Sequence, residues 1–393
     1  MNAVQEAGYS VTEDYNGFMQ EGFGPADMTI WKGRRWSSAS AYLKPVLKKT
    51  NLKLYKNALV EKIIISKRKA IGVSFIQNGS KKIILANQEV ICCAGSINSP
   101  QIFQRSGIGN AKLLKSNKIE VIKELDGVGE NLQDHLEIYF QIESLKPITL
   151  YKYNNPISKL LIGLQWLIFK KGLGATNHFE TLGFIRSKKG VLYPNIQFHL
   201  LPIAINYDGS SPVNRHGFQL HVGPMKSKSR GSVKIKSKDA KISPKILFNY
   251  MNHKDDWEDF RNCIKLSREI LNQNSLKHLC GPEIQPGADI LSNEQIDKFI
   301  KENVESAYHP CGTMKMGHKD DPLAVVDNEC KVFGIDNLRV VDSSIFPRIT
   351  NGNLNAPSIM VGEKAADIIL GNKPLPKSNF IPFVNPNWKN SKK

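Results

Sequence analysis

Several features of common functional classes are missing from this sequence of 393 residues. No Cys-x-x-Cys pair occurs, so neither a metal site nor a disulfide framework is expected, and a reducing compartment fits best. No apolar run approaches the roughly 18 residues of a membrane span, and no charged-then-apolar leader is present, so we do not expect an integral membrane protein. The six cysteines are dispersed: Cys92, Cys93, Cys263, Cys280, Cys311 and Cys330.

Acidic residues are in the minority. The chain has 54 Lys and Arg against 36 Asp and Glu, a formal charge of +18, and 41% hydrophobic residues, as in a globular protein. The charges are spread along the chain without an aromatic-plus-basic module, so we expect no nucleic-acid partner. Weak attraction to an anionic membrane surface is favoured instead. The apolar stretch 160–169, between Lys159 and Lys170, is interpreted as a core or surface helix, with an interfacial contact as the alternative.

A dinucleotide-binding unit of strand, G-x-G-x-x-G and helix is also missing. Gly127-Val-Gly129 lacks the third glycine, and Gly107-Ile-Gly109 follows a helix-like segment instead of a strand. Residues 1–50 are turn-rich and irregular. The turn that holds a cofactor pyrophosphate is therefore not expected among these residues.

Secondary-structure patterns are present from residue 58 onward. Asn78-Gly79 between two β-branched runs predicts a hairpin. Residues that alternate apolar and polar around 196–200 and 218–222 predict strands of an antiparallel sheet. Trp257 to Leu271 has helical spacing and predicts a long amphipathic helix.

Residues 338–370 combine a predicted buried strand with a predicted helix start. Leu338–Val341 is an apolar run that delivers Asp342 and Ser343 at its carboxyl end, where ligands bind in parallel sheets. A helix is predicted over Ala356–Leu370, with Asn355 as its cap, and its N-terminus can stabilise an anion.

Two residues of this stretch can act on a substrate hydroxyl. His309 lies in a loop before a proline and could accept a proton near neutral pH, an effect worth on the order of 100- to 10,000-fold in rate. Asn353 could donate a hydrogen bond to the same oxygen. Taken alone, each is explained as well by a hydrogen-bonded loop or turn residue.

Taken together, the segments resemble the glucose–methanol–choline (GMC) oxidoreductase family. The resemblance rests on His309-Pro-Cys-Gly-Thr, Leu338-Arg-Val-Val-Asp-Ser-Ser and Gly352-Asn-Leu-Asn-Ala-Pro, and on Gly95-Ser-Ile-Asn-Ser-Pro for a second signature. It implies that His309 is the catalytic base and that Asn353 pairs with it across the substrate. It also implies FAD as cofactor, held by the Val60 backbone and by the strand end and helix start at Asp342, Ser343, Leu354 and Asn355.

The resemblance implies an α/β (α+β) fold with an incomplete FAD-binding, Rossmann-like domain and a substrate domain whose antiparallel or mixed sheet is covered by helices. The family's N-terminal section, which holds the ADP half of FAD, has no counterpart here, so we expect a truncated product or fragment that binds FAD weakly or not at all. The predicted units are a partial FAD-binding domain at 1–136, a substrate domain at 137–300, a return to the first domain at 301–372, and a tail at 373–393 that is a surface strap or disordered.

Within the family, the similarity is greatest to choline-oxidising members. Glu180 in Asn177-His-Phe-Glu falls where those members keep a carboxylate, with Phe179 beside it. A quaternary ammonium cannot donate a hydrogen bond and must be held by charge and aromatic faces, which these two residues would supply. The alternative for Glu180 is an ordinary surface or ion-paired residue.

The implied reaction is the oxidation of choline to betaine aldehyde, and further to glycine betaine, by hydride transfer to flavin N5 without a metal. Electrons would pass to a membrane acceptor such as quinone instead of oxygen. The implied location is cytoplasmic, with a peripheral position on the inner membrane as the alternative. Two other functions stay open: oxidation of another primary alcohol, and a non-catalytic fragment.

Overall fold

The computed structural model describes residues 1–206 and 214–393, and across these ranges the fold is mixed α/β, as predicted. The helices are α1 (Asn2–Glu6), α2 (Lys44–Val46), α3 (Gly95–Arg105), α4 (Ala111–Ser116), α5 (Pro156–Phe169), α6 (Lys254–Leu271), α7 (Asn293–Asn303) and α8 (Asn355–Leu370). The strands are β1 (Gly22–Pro25), β2 (Ile30–Trp31), β3 (Arg34–Arg35), β4 (Ala58–Ser66), β5 (Lys69–Gln77), β6 (Ser80–Leu85), β7 (Val90–Cys92), β8 (Ile108–Gly109), β9 (Lys123–Glu124), β10 (Leu136–Ser144), β11 (Thr181–Ile185), β12 (Ile196–Leu201), β13 (Gly217–Pro224), β14 (Ser232–Lys234), β15 (Lys245–Leu247), β16 (Cys280–Gln285), β17 (Glu305–Ser306) and β18 (Leu338–Val340).

The largest sheet is antiparallel, in the order β1-β11-β12-β13-β10-β16, with β17 paired to the start of β10. The alternating patterns that predicted β12 and β13 are confirmed. Strand β1 pairs with β11, Gly22 opposite Phe184, and Phe23 lies in the core of this sheet. Residues 22–25 therefore belong to the main sheet, while the predicted unit 1–136 stays a prediction. Glycines on both sides of Phe23 hide this strand from pattern analysis.

This sheet is buried on both faces, and the faces differ in chemistry. One face is apolar and packs against α1, α6 and α7 through residues such as Ile138, Phe198 and Val222. The other face carries polar residues from the intervening positions. Tyr139, His221 and His199 lie side by side across β10, β13 and β12 on that face.

Helix α6 shows how local sequence fixes the apolar side. The side chain of His253 caps the helix by accepting a hydrogen bond from Asp255 N, and Asp255 and Asp256 occupy the first turn, where carboxylates stabilise the helix dipole. Phe260 and Ile264, four residues apart, are both fully buried. The predicted amphipathic helix is confirmed.

A second, smaller part of the fold surrounds a parallel pair of strands. Strands β4, β5 and β6 form a meander in which Asn78 and Gly79 both have positive φ, as a two-residue hairpin turn requires. Strands β7 and β18 pair in parallel, Val340 opposite Cys92, so their carboxyl ends share one edge. Helix α3 follows β7 at that edge.

The C-terminal residues form a strap, one of the two alternatives for the tail. The buried Arg186 donates a 2.8 Å hydrogen bond to the carbonyl of Ser391, and Gly190 N donates to the carbonyl of Trp388 at 2.7 Å. Lys392 and Lys393 each lie 2.6 Å from the carboxylate of Glu269. The tail is thus tied to both α6 and the segment after β11.

Candidate active site

A buried carboxylate fixes the loop that carries His309. Asp134 accepts hydrogen bonds from His309 N at 2.9 Å, from Ser306 Oγ at 2.5 Å and from Tyr250 OH at 2.7 Å. Tyr308 has a φ of 60°, and His309 lies near Glu137, on the polar side of the main sheet. The imidazole position therefore depends on groups from three separate segments.

The ring of His309 meets a second histidine, His135, and their Nδ1 atoms lie 3.0 Å apart. The Nε2 of His135 lies 3.2 Å from the carbonyl of Met225 and 3.1 Å from that of Thr350, and carbonyls only accept. Burial, and then His309, lowers the pKa of His135 to about 3, so this ring is neutral with its proton on Nε2. His309 must then donate its Nδ1–H to His135, which leaves Nε2 of His309 unprotonated.

The protonation of His309 suits a base. Burial lowers its pKa, and the charges of Asp134 and Glu137 only partly oppose that shift. The ring is therefore neutral near pH 7, with a free lone pair on Nε2.

Asn353 lies in the same cluster. Its Oδ1 accepts a 2.6 Å hydrogen bond from Gln197 Nε2, and it is also hydrogen-bonded to His199, whose pKa is lowered to about 4, chiefly by burial. With its oxygen used as an acceptor, the amide has Nδ2 hydrogens to donate. His309 lies close enough to His199 to act on its charge, so the structure places His309 and Asn353 at one site.

A further carboxylate, Glu137, lies on this polar face and was not singled out by the sequence patterns. Its Oε1 lies 3.1 Å from His221 Nδ1 and accepts a 3.3 Å hydrogen bond from Tyr139 OH. Burial raises the pKa of Glu137, but the hydrogen bond and charge of His221, together with His199 and Tyr139, outweigh it, and the pKa is lowered. A buried negative charge therefore lies beside the candidate base.

Aromatic rings border this carboxylate. The ring of Tyr139 is 4.4 Å from that of His221, and Phe179 lies 5.3 Å from His221 and 5.7 Å from His199. The predicted substrate residue Phe179 thus lies at the site. Glu180 is placed differently: its side chain is exposed, and its backbone is bound to Leu200 and Ala26. Its substrate role stays a prediction.

Asp342 and Ser343, predicted to hold the cofactor, bind the protein itself. Asp342 accepts hydrogen bonds from Gly95 N at 2.9 Å, Ser99 Oγ at 2.6 Å and Ser344 N at 2.7 Å. Ser343 Oγ lies 3.0 Å from a serine hydroxyl of α3 and 3.2 Å from the carbonyl before Cys311. Both residues assemble the edge where β7, β18 and α3 meet.

The start of α8 is open. Leu354 is the N-cap and makes no side-chain capping bond; Asn355 is the first helical residue, so the prediction that Asn355 caps the helix is wrong. The first backbone N–H groups are left for another partner, as at anion sites. Gly371 ends the helix in the left-handed conformation. Val60 lies in β4, and its carbonyl accepts a 3.5 Å bond from Arg105.

Comparison with known proteins assigns the family. Profiles described as GMC oxidoreductase match residues 1–137 and 227–362. The chain is 58% identical over 388 residues to the oxygen-dependent choline dehydrogenase of Brucella anthropi and 54% identical to that of Rhizobium meliloti, in both cases over 99% of this chain and 70% of the relative. The chain belongs to the GMC oxidoreductase family.

Solved GMC-like structures share the fold. Pyridoxine 4-oxidase from Mesorbium loti matches with a TM-score of 0.82 and 26% identity, over 95% of this chain and 69% of that protein. The formate oxidase of Aspergillus oryzae RIB40, studied for its FAD modification, matches with a TM-score of 0.88 and 22% identity, over 94% of this chain and 69% of that protein.

GMC oxidoreductases are FAD-dependent flavoproteins, and the flavin end of the cofactor fits this chain. Helix α8, whose first N–H groups have no side-chain cap, contacts the turn Ser343–Ile345 that follows β18. The chain has no G-x-G-x-x-G turn for the pyrophosphate. Among the described residues, no group of three or more His, Cys, Asp or Glu side chains could hold a metal.

The GMC site contains residues that motif reading missed: Glu137, Tyr139, His199, His221 and the partner histidine His135. A signal for most of them exists in the sequence. They recur at every second position of strands whose other residues are strongly apolar, so they share one face of the sheet, and where that face is buried its polar groups must be hydrogen-bonded to one another or to a ligand.

Proposed function

We propose that this GMC oxidoreductase oxidises choline to betaine aldehyde, with FAD as cofactor. The observation that carries the proposal is the buried carboxylate of Glu137, set among aromatic rings next to the base His309. Relatives that are 54% and 58% identical are named choline dehydrogenases, which supports the same substrate.

The cation would be held by charge and by ring faces. A quaternary ammonium has no proton to donate, so its affinity depends on a carboxylate at contact range and on aromatic faces within about 6 Å. Glu137 supplies the charge, and Phe179 and Tyr139 supply rings. The burial of these side chains excludes water and so strengthens their attraction for the cation. The net charge of +18 does not prevent binding, because distant exposed lysines are screened beyond a Debye length of about 8 Å.

The hydroxyl end would be activated by His309 and Asn353. Nε2 of His309 takes the hydroxyl proton, while Nδ1–H stays bonded to His135 and keeps the ring in place. Asn353 Nδ2 donates a hydrogen bond to the oxygen as negative charge develops on it. FAD, when bound, supplies the hydride acceptor at flavin N5. The open start of α8 favours negative charge on that ring.

The fate of the electrons is part of the proposal. They pass to a membrane acceptor such as quinone, the aldehyde is oxidised again to glycine betaine, and the enzyme works in the cytoplasm with a peripheral contact to the inner membrane. Dioxygen is a second candidate acceptor, because the relatives are named oxygen-dependent choline dehydrogenases. Reoxidation of the reduced enzyme by a quinone analogue or by air separates the two.

The test is flavin reduction without oxygen. The chain supplied with FAD and freed of unbound FAD by gel filtration is mixed with choline, and the flavin absorbance is followed. A matched control is the neutral isostere of choline in which a tert-butyl group replaces trimethylammonium. We expect choline to bleach the flavin at much lower concentration than the isostere does. Equal bleaching by both would favour another primary alcohol, and a chain that retains no flavin would favour a non-catalytic fragment.

A further inference from the structure

Helix α5 presents its apolar side to solvent. Seven large apolar residues of this 14-residue helix are between 44% and 73% exposed, and none of its residues is buried. We call them the α5 face: Ile157, Leu160, Leu161, Leu164, Leu167, Ile168 and Phe169. A helix on a globular protein normally turns such residues to the core, so the orientation of α5 is inverted.

The inverted orientation is fixed by specific contacts. Trp166 Nε1 donates a 2.6 Å hydrogen bond to the carbonyl of Gly33. A Cβ at Gly33, whose φ is 66°, would lie 1.9 Å from the carbonyl oxygen of Lys170, so the two backbones approach as only glycine allows. Asn155 caps the start of the helix by accepting a hydrogen bond from Ser158 N at 2.9 Å. The helix is therefore held with Trp166 inward and the α5 face outward.

Aromatic and basic groups border the α5 face. The hairpin β2–β3, which holds Gly33 at its turn, exposes Trp31 and carries Lys32, Arg34 and Arg35. Lysines flank both ends of α5. Neither residues 144–179 nor residues 28–60 contain any Asp or Glu. An apolar face with a basic, tryptophan-containing rim is the pattern of helices that lie in a membrane interface.

We propose that the α5 face seats in the headgroup region of an anionic lipid bilayer. A helix of 14 residues is about 21 Å long and would lie parallel to the surface, with the basic rim at the phosphates. Within residues 1–206 and 214–393, every helix is too short or too polar to span a bilayer. A second copy of the chain is a poorer occupant, because its own basic rim would face an equally basic one.

The α5 face is the place where the membrane contact named in the proposed function would occur. The inference does not depend on choline being the substrate. The test is co-sedimentation of the FAD-supplied chain with phosphatidylcholine vesicles, with and without about one third phosphatidylglycerol. We expect at least tenfold tighter binding to the anionic vesicles, weakened when salt rises from about 0.1 M to about 1 M and the Debye length falls from about 10 Å to about 3 Å.

Paired substitutions locate the contact. Leu161→Glu with Ile168→Glu, both at exposed positions, should lower binding at least tenfold. The matched control, Leu291→Glu with Leu375→Glu, changes leucines outside α5 that are at least as exposed, and it should bind as the parent does. All variants should bleach with choline as the parent does, so a failure of the proposed reaction would be seen separately.

Three results would overturn the inference. One is no binding to anionic vesicles at low salt. Another is equal binding by the α5 pair and the parent. The third is a concentration-dependent dimer, seen by light scattering, that the α5 pair abolishes while vesicle binding is absent; the α5 face would then pair with a second copy.

Discussion

The Nδ1 atoms of His135 and His309 lie 3.0 Å apart, and the opposite nitrogen of His135 is directed at two backbone carbonyls. Because those carbonyls accept only, the hydrogen bonds fix which nitrogen of each ring carries the proton. The lone pair of His309 is thereby placed on Nε2. The backbone carbonyls of Met225 and Thr350, acting through His135, therefore decide which nitrogen of His309 can accept a proton. The pKa of His309 decides only whether the ring is neutral.

Replacing the base tests this assignment. His309→Ala should lower turnover with choline by about 100- to 10,000-fold, the usual worth of a positioned base, and leave flavin binding unchanged. The measurement is single-turnover flavin reduction by stopped flow. If the variant's flavin is reduced at a rate within threefold of the parent's, His309 is not the base.

The pH dependence of kcat/KM follows from the same residue. Burial lowers the pKa of His309 below the ordinary value of 6.5, and only the neutral ring can accept a proton. Activity should therefore persist below pH 6.5 and fall only at more acidic pH. A rate profile whose acid limb lies above pH 7 would contradict the neutral, buried ring.

Stability should also fall in acid because of His135. Its pKa is about 3 in the folded chain and about 6.5 when unfolded, so between these values the unfolded chain binds more protons. Folding free energy due to this group is fully present above pH 6.5 and is lost at about 1.4 kcal/mol per pH unit as pH falls toward 3. Urea unfolding at several pH values measures the slope. His318→Gln, at an exposed position, should keep the parent's slope, whereas His135→Gln should reduce it.

The two carboxylates of the substrate region can be separated. Glu137→Gln should raise KM for choline at least tenfold, about 1.4 kcal/mol, with little change for the tert-butyl isostere, because only the cation needs the charge. Glu180→Gln, at the exposed position, should change KM for choline less than about threefold. A larger increase in KM for choline with Glu180→Gln than with Glu137→Gln would assign the cation site to Glu180.

Asp342 should matter for stability more than for chemistry. Asp342→Asn weakens two hydrogen bonds that join the end of β18 to α3 and one that closes the turn after β18, and a bond to a charged group is worth about 1.5–3 kcal/mol. We expect thermal unfolding at clearly lower temperature. Asp320→Asn, whose carboxylate is exposed, is the matched control and should change the unfolding temperature little.

Much of the site could be predicted because its residues lie in contiguous motifs. His309 and Asn353 are 44 positions apart, yet each has a loop signature of its own, and the structure brings both to one cluster. Glu137 could not be found in this way. Its function depends on the pairing of β10 with β13, and a single strand does not reveal which of its faces meets another site residue.

Long-range contacts also shift the ends of secondary-structure elements away from the positions that local sequence predicts. Ser99 and Pro100 predict a helix start, but α3 begins at Gly95, because the carboxylate of Asp342 binds Gly95 N from 247 residues away. Ile91, in a run that predicts a fully buried strand, is 42% exposed. For α3 the deciding partner is distant in sequence, so local pattern carries no information about it.

The two-faced sheet restricts how sequences of this enzyme can change in length. Side chains in a strand alternate between faces, so inserting or deleting one residue in β13 would exchange His221 with an apolar neighbour. The core would receive the imidazole and the site would receive a leucine or valine. Strands β10, β12 and β13 should therefore tolerate substitutions but almost no single-residue insertions or deletions, and length variation among homologues should accumulate in the loops between them.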